Sequence, residues 1–270
     1  MKLDLTFPVT AVSVAGVETC IAFPDFAFDI GRCPEFAVHI PTILITHGHM
    51  DHIGALAYHA ARRAGRGLPA PTYFVPVVIW QDVLGMLDAM GKLDRGAMRA
   101  NVIPCTVGER YPLKGGLVAV PIEMVHRVPC YGYKVYHKRT KLKLEFQGHT
   151  NEEIIALRKR GVGVSEEVEV LRVAFTGDTT VEGLDRNPEL YTADLLVMEV
   201  SFVDDTLNAK EARSRGHMHL DDVVERAHLF QNKELLFTHF SARHSPKGIQ
   251  EALRTRLPAD LYARVRTLVE

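Results

Sequence analysis

The chain has 270 residues, of which 47% are hydrophobic and 24% charged, with a formal net charge of −1. That composition suits a folded globular protein and excludes a disordered one. The near-neutral balance excludes a polycation, so nucleic-acid binding would require a local basic patch.

In chain order, Thr42-Ile43-Leu44-Ile45 is an apolar run that ends at Thr46-His47 and reads as a buried strand. An alanine-rich helix is expected over residues 55–64, after Gly54, and a second over residues 81–90, where apolar residues recur at helical spacing. Residues 134–163 form a basic, arm-like segment. Lys134, Lys138, Arg139, Lys141, Lys143, Arg158, Lys159 and Arg160 stand there against few acids, as an exposed strand followed by a helix from Asn151 that stops at Gly161.

Three more apolar runs follow. Residues 171–175 lead into Thr176-Gly177-Asp178, residues 194–198 into Glu199, and residues 235–237 into Thr238-His239. Helices are expected over residues 220–230 and from Ser245-Pro246 towards Arg256, where serine caps and proline takes the first turn. Strands alternating with helices predict an α/β protein, read here as one domain over residues 1–270. In such folds ligands gather beyond the carboxyl ends of strands, where the metal-capable side chains of this chain fall.

The densest chemistry is His47-Gly48-His49-Met50-Asp51-His52. His47 and His49, two apart in an extended loop, can face one ion, while Asp51 and His52, on the turn into a helix, can reach a second. Imidazole and carboxylate are zinc ligands, and two ions about 3.5–4 Å apart can clamp both oxygens of a phosphoryl displacement.

This HxHxDH order, in its strand-to-helix setting, resembles the signature of the metallo-β-lactamase superfamily, which implies an αββα sandwich with the metals at one edge. The resemblance implies further ligands in order: His126 in Met124-Val125-His126-Arg127, the bridging carboxylate Asp178, and His239 in Phe237-Thr238-His239-Phe240. It assigns His47, His49 and His126 to one Zn2+, and Asp51, His52 and His239 to the other, with Asp178 joining them. Mn2+ or Fe2+ suits the same ligands. The remaining histidines, His39, His59, His137, His149, His228 and His244, are expected to be structural or solvated.

Finer similarity is to the RNase Z family, short form and plant-type branch. It is carried by residues 16–20 and 28–34, by Phe175 to Thr180, by Glu199-Val200-Ser201-Phe202, and by Thr238-His239-Phe240-Ser241-Ala242-Arg243. That likeness implies removal of the 3′ trailer from precursor tRNA. A metal-activated hydroxide, oriented by Asp51, attacks phosphorus, and His217, paired with Glu199, protonates the leaving 3′ oxygen. It also implies a homodimer. Two departures stand out: the arm lacks a Gly-Pro motif, and Met218 and His219 stand where the family has serine and threonine.

The alternatives are another binuclear hydrolase on this fold, either a small-molecule phosphodiesterase or a lactone or thioester hydrolase, and a non-catalytic RNA-binding protein. No run approaches the roughly 20 apolar residues of a membrane span, and residues 1–5 carry no visible targeting signal. The scattered Cys20, Cys33, Cys105 and Cys130 read as free thiols of a reducing cytoplasm.

Overall fold

A computed structural model describes residues 2–3, 8–96 and 98–269, with only the backbone of residues 2–3. The amino-terminal stretch read for a targeting signal lies largely outside them. The strands form two seven-stranded sheets. The first holds β1 (Lys2–Leu3), β2 (Val9–Val14), β3 (Glu18–Ala22), β4 (Ala27–Phe28), β5 (Thr42–Leu44), β6 (Thr72–Pro76) and β7 (Asn101–Cys105). The second holds β8 (Tyr111–Pro112), β9 (Leu117–Met124), β10 (Cys130–Leu142), β11 (Ser165–Phe175), β12 (Leu195–Glu199), β13 (Glu234–Thr238) and β14 (Val265–Thr267). Each sheet runs in chain order, and each begins with antiparallel pairs and ends with parallel ones. The two halves therefore repeat a topology that leaves no repeat in the sequence.

The helices are α1 (Met50–Ile53), α2 (Leu56–Gly65), α3 (Trp80–Asp94), α4 (Asn151–Lys159), α5 (Val181–Arg186), α6 (Ala209–Ser214), α7 (Leu220–Glu225), α8 (Pro246–Arg256) and α9 (Ala259–Tyr262). Three apolar layers order them. Between the sheets, Phe28 of β4 stacks on Phe175 of β11 with ring centroids 4.8 Å apart, within a cluster that includes Ala11, Phe74, Tyr133 and Val197. On the outer face of the first sheet, Leu56, Val83 and Leu87 of α2 and α3 cover Ile43 and Tyr73. On the outer face of the second, Leu184, Val223, Leu253 and Leu261 cover Leu196, Met198 and Leu235. The result is the αββα sandwich that the resemblance implies. A buried aromatic such as Phe28 contributes on the order of 1.5–3 kcal/mol, so the inner layer binds the sheets firmly.

Several expected elements differ in their limits. The helix foreseen over residues 55–64 begins at Leu56 and is preceded by the separate turn α1, because Ala55 between them leaves the helical conformation, and Gly54 packs where no side chain fits. A Cβ there would lie 2.5 Å from the Met50 carbonyl oxygen. The helix foreseen to residue 230 stops at Glu225 and continues only as a 3-10 turn, Ala227–Leu229. The basic segment is the outer half of the β10–β11 hairpin plus α4. Its register places Lys138 opposite Glu169 and Lys141 opposite Glu166, so much of its charge faces acids of β11.

Candidate metal centre

The carboxyl ends of β5, β11, β12 and β13, with the loop after β9, meet at one edge of the sandwich. These ends deliver His47 to His52, Asp178, Glu199, His239 and His126 respectively. The strands are buried and rigid there, and the backbone turns sharply as each ends. His239 adopts φ 59° and Asp29, at the end of β4, φ 57°. Such left-handed conformations cost about 1–3 kcal/mol and persist only where surrounding bonds hold them. Asp29 is held by the Thr46 amide and hydroxyl, each donating at 2.8 Å.

The donor atoms fall into two groups that share Asp178. In the first, His47 Nε2 lies 3.0 Å from His49 Nδ1, and His126 Nε2 lies 3.3 Å from the same atom. Asp178 Oδ2 closes that group, 3.7 Å from His47 and 4.0 Å from His126. In the second, His52 Nε2 and His239 Nε2 are 3.4 Å apart, and Asp51 Oδ2 lies 3.6 Å and 3.4 Å from them. Asp178 Oδ1 sits 3.4 Å from both rings. Ligands about 2.0–2.1 Å from a tetrahedral zinc stand about 3.3–3.4 Å from one another. The second group matches that edge on nearly every pair, and the first approaches it. The chemistry and spacing of the donor set therefore fit metal binding.

The outward nitrogens explain why the rings point inward. His126 Nδ1 donates to the Gly216 carbonyl at 2.7 Å, and His52 Nδ1 to Asp29 at 2.7 Å. The Thr46 hydroxyl gives its proton to Asp29 and so accepts from His47 Nδ1 at 2.9 Å. The Ser201 hydroxyl donates to Glu199 at 2.5 Å and accepts from His239 Nδ1 at 3.1 Å. With Nδ1 donating outward in all four rings, each Nε2 faces the cluster, the arrangement seen around protein metals. His49 is the exception and offers Nδ1.

Electrostatics follow from burial. Burial pushes His47, His49 and His126 down, keeping them in the neutral form a metal requires. Burial also opposes charge on His52, but Asp178 and Asp29 on either side outweigh it and push that ring up. Burial raises Asp178 and Asp51, yet neighbouring histidines hold both well below the usual carboxylate range.

Glu199 is 1% exposed and satisfied on both oxygens. Oε1 accepts from the Thr179 amide at 2.7 Å and His217 Nδ1 at 3.0 Å. Oε2 accepts from Ser201 at 2.5 Å and from the Met218 amide at 3.3 Å. Burial disfavours charge on His217, but Glu199 prevails and the ring is pushed up to about 9. One ring nitrogen of His217 lies within 4.8 Å of donor atoms of Asp178 and His239. An imidazole held by a buried carboxylate thus stands beside the metal-capable cluster.

The nine residues singled out from the sequence, His47, His49, Asp51, His52, His126, Asp178, Glu199, His217 and His239, come together here. Sequence reasoning gave no role to Asp29, Thr46, Ser201, Cys130 or Gly216. Asp29 and Ser201 do lie in stretches that carry the family likeness, residues 28–34 and 199–202, and Thr46 ends the apolar run before His47. Cys130 Sγ lies 3.6 Å from His47 Nδ1. His219 caps α7, its Nδ1 accepting from the Asp221 amide at 3.1 Å, and His59 is bound to Tyr73 at 2.9 Å, away from the cluster.

Known proteins match this chain along most of its length. The Beta-lactamase superfamily domain matches residues 22–240. The tRNase Z TRZ1 of Arabidopsis thaliana is 37% identical over 268 residues, covering 98% of this chain and 95% of that protein. The chloroplastic tRNase Z TRZ2 of the same plant is 34% identical over 269 residues, covering 98% of this chain and 76% of that protein. Among solved structures, human tRNase Z, short form, superposes with a TM-score of 0.61 at 17% identity, covering 97% of this chain and 96% of that one. The metallo-beta-lactamase fold protein YhfI from Bacillus subtilis gives 0.64 at 14% identity, covering 96% of this chain and 94% of that one. At those identities the two structures bear on the fold alone. The family domain and the relatives at 37% and 34% identity decide the rest: the chain belongs to the metallo-β-lactamase superfamily and, within it, to the tRNase Z family.

Proposed function

We propose that this protein is a metal-dependent endoribonuclease that removes the 3′ trailer from precursor tRNA, working as one domain over the whole chain. The observation that carries the reading is the pairing of two donor groups around Asp178 with the Glu199–His217 dyad beside them. His47, His49 and His126 would hold one Zn2+, and Asp51, His52 and His239 the other, with Asp178 between; Mn2+ or Fe2+ suits the same donors. Bound there, such ions supply Lewis acidity and a water of lowered pKa.

The chain's own groups do the rest. Asp51, anchored by the Gly16 amide at 2.8 Å, orients the attacking water. Glu199 fixes the His217 tautomer through Nδ1, so the opposite ring nitrogen holds the proton for the departing 3′ oxygen. A dyad of this kind serves a poor alkoxide leaving group, which favours phosphodiester cleavage over thioester hydrolysis.

We extend the proposal to a cytoplasmic homodimer acting on precursor tRNA. The free thiols of Cys20, Cys33, Cys105 and Cys130 support a reducing compartment. No helix among the described residues is long and apolar enough to cross a membrane. Exposed Met50 and Val78 near the metal-bearing loop offer apolar surface for a second copy.

The test is to incubate metal-analysed protein with a 3′-extended precursor tRNA and, separately, with an aryl phosphodiester. Cleavage after the discriminator nucleotide, abolished by chelation, supports the reading. Turnover of the aryl diester alone overturns the tRNA assignment and leaves a small-molecule phosphodiesterase.

A further inference from the structure

Beside the metal centre lies an open cleft of about 670 Å³, within the size range of ligand sites. It begins at the candidate ligand His126 and is lined by Arg127, Val128, Val107, Glu123 and Arg186. The mechanism above uses none of these except His126.

Arg127 and Arg186 are both exposed, and no ion pair or hydrogen bond engages either guanidinium among the described residues. Most other arginines here are committed: Arg226 to Asp185, Arg213 to Asp222, Arg110 to Glu169, and Arg62 and Arg66 to Glu35. Two uncommitted guanidiniums therefore share a cleft that opens on the metal centre. The only acid among the lining residues is Glu123.

Arg127 is also fixed in place. It follows His126 directly, and its Cγ would lie 3.0 Å from a Cβ built at Gly216, so its stem packs against the loop that carries His217. Its charge acts on the His217 ring, opposing the imidazolium. The cleft thus leaves the metal centre on the side of the acid, where the 3′ oxygen departs. Its lining combines guanidiniums, which bind backbone phosphates, with apolar Val107 and Val128, against which a base can pack.

Resting on the function proposed above, we propose that this cleft seats the unpaired nucleotide on the 5′ side of the scissile phosphate, with Arg127 and Arg186 binding its flanking backbone phosphates. It is a substrate subsite for single-stranded RNA, read by charge and not by base identity.

The test is steady-state cleavage of precursor tRNA by the metal-loaded double variant Arg127→Gln/Arg186→Gln, beside Arg127→Lys/Arg186→Lys, over a series of salt concentrations. Metal content and circular dichroism establish that both variants are folded and loaded. The glutamine pair should raise KM about tenfold or more. Its log–log salt slope should fall by about 1.4, since each single-strand phosphate contributes about 0.7. The lysine pair, which keeps the charges, should recover most of both effects. The loss should be equal for substrates with a one-nucleotide and a long trailer, because the contacts lie on the tRNA side.

Unchanged KM and salt slope in the glutamine pair, with wild type cleaving normally, would overturn this subsite alone. A loss that disappears with the one-nucleotide trailer would overturn it too, by placing the arginines on the trailer. If wild type fails to cut precursor tRNA, the parent reading has failed, and the subsite falls with it.

Discussion

Replacing Glu199 by glutamine keeps its volume and turns one of its two oxygens into a donor. Each oxygen already accepts two hydrogen bonds, from the Thr179 amide and His217 on one side and from Ser201 and the Met218 amide on the other. Whichever end the amide nitrogen takes, it meets two donors. A buried donor left without an acceptor costs about 1–3 kcal/mol, so Glu199→Gln should lose about 2–6 kcal/mol of stability. The acid should suffer as well. The carboxylate raises His217 from 6.5 to about 9. That shift corresponds to about 3 kcal/mol of stability, present in full below about pH 6.5 and lost as pH rises through about 9. In the variant, the alkaline limb of kcat on precursor tRNA should move down by about two pH units. At pH 8 the protonated fraction of His217, and kcat with it, should fall about tenfold. The assay is single-turnover cleavage from pH 6 to 10 with metal content checked at each point. An alkaline limb in the same place as wild type would refute the acid role of His217.

Three further outcomes follow from the geometry. Ser201→Ala removes the acceptor for His239 Nδ1 and should weaken binding of one metal about 10–100-fold, measured by competition with a chelating dye, while sparing the other. Gly216→Ala places a Cβ 2.7 Å from His126 Nδ1, in a backbone with φ 81°, and should lower metal content at the His126 site in a protein that still folds, read by elemental analysis and circular dichroism. Burial, with Arg63 nearby, depresses His59 from 6.5 to about 4. The unfolded chain therefore takes a proton first, and about 3 kcal/mol of stability is lost as pH falls from about 6.5 towards 4. In His59→Gln, urea midpoints should depend less steeply on pH across that window.

The metal-capable cluster was legible in the sequence because its donors sit where buried strands end. His47 to His52 follow β5, Asp178 follows β11 and His239 follows β13, each after an apolar run. The supporting groups were not legible. A buried serine hydroxyl at Ser201 or a carbonyl at Gly216 has no pattern in one dimension, since its role depends on which loop comes near. The early strands were also hidden. Val9–Val14 alternates buried and half-buried residues, yet both of its faces are covered, so its sequence shows no apolar-to-polar contrast. The basic arm reads as more cationic than it is, because Glu166, Glu167 and Glu169, which face it across the hairpin, lie just beyond residue 163.

The central claim is hydrolysis of a precursor tRNA by water attack with protonation of a 3′ oxygen, and the chemistry of the product ends tests it most directly. Wild-type protein should leave a 3′-hydroxyl on the tRNA and a 5′-phosphate on the trailer, identified by ligation and phosphatase sensitivity. A 2′,3′-cyclic phosphate on the tRNA and a 5′-hydroxyl on the trailer would mean that the ribose hydroxyl attacked, and would contradict the account.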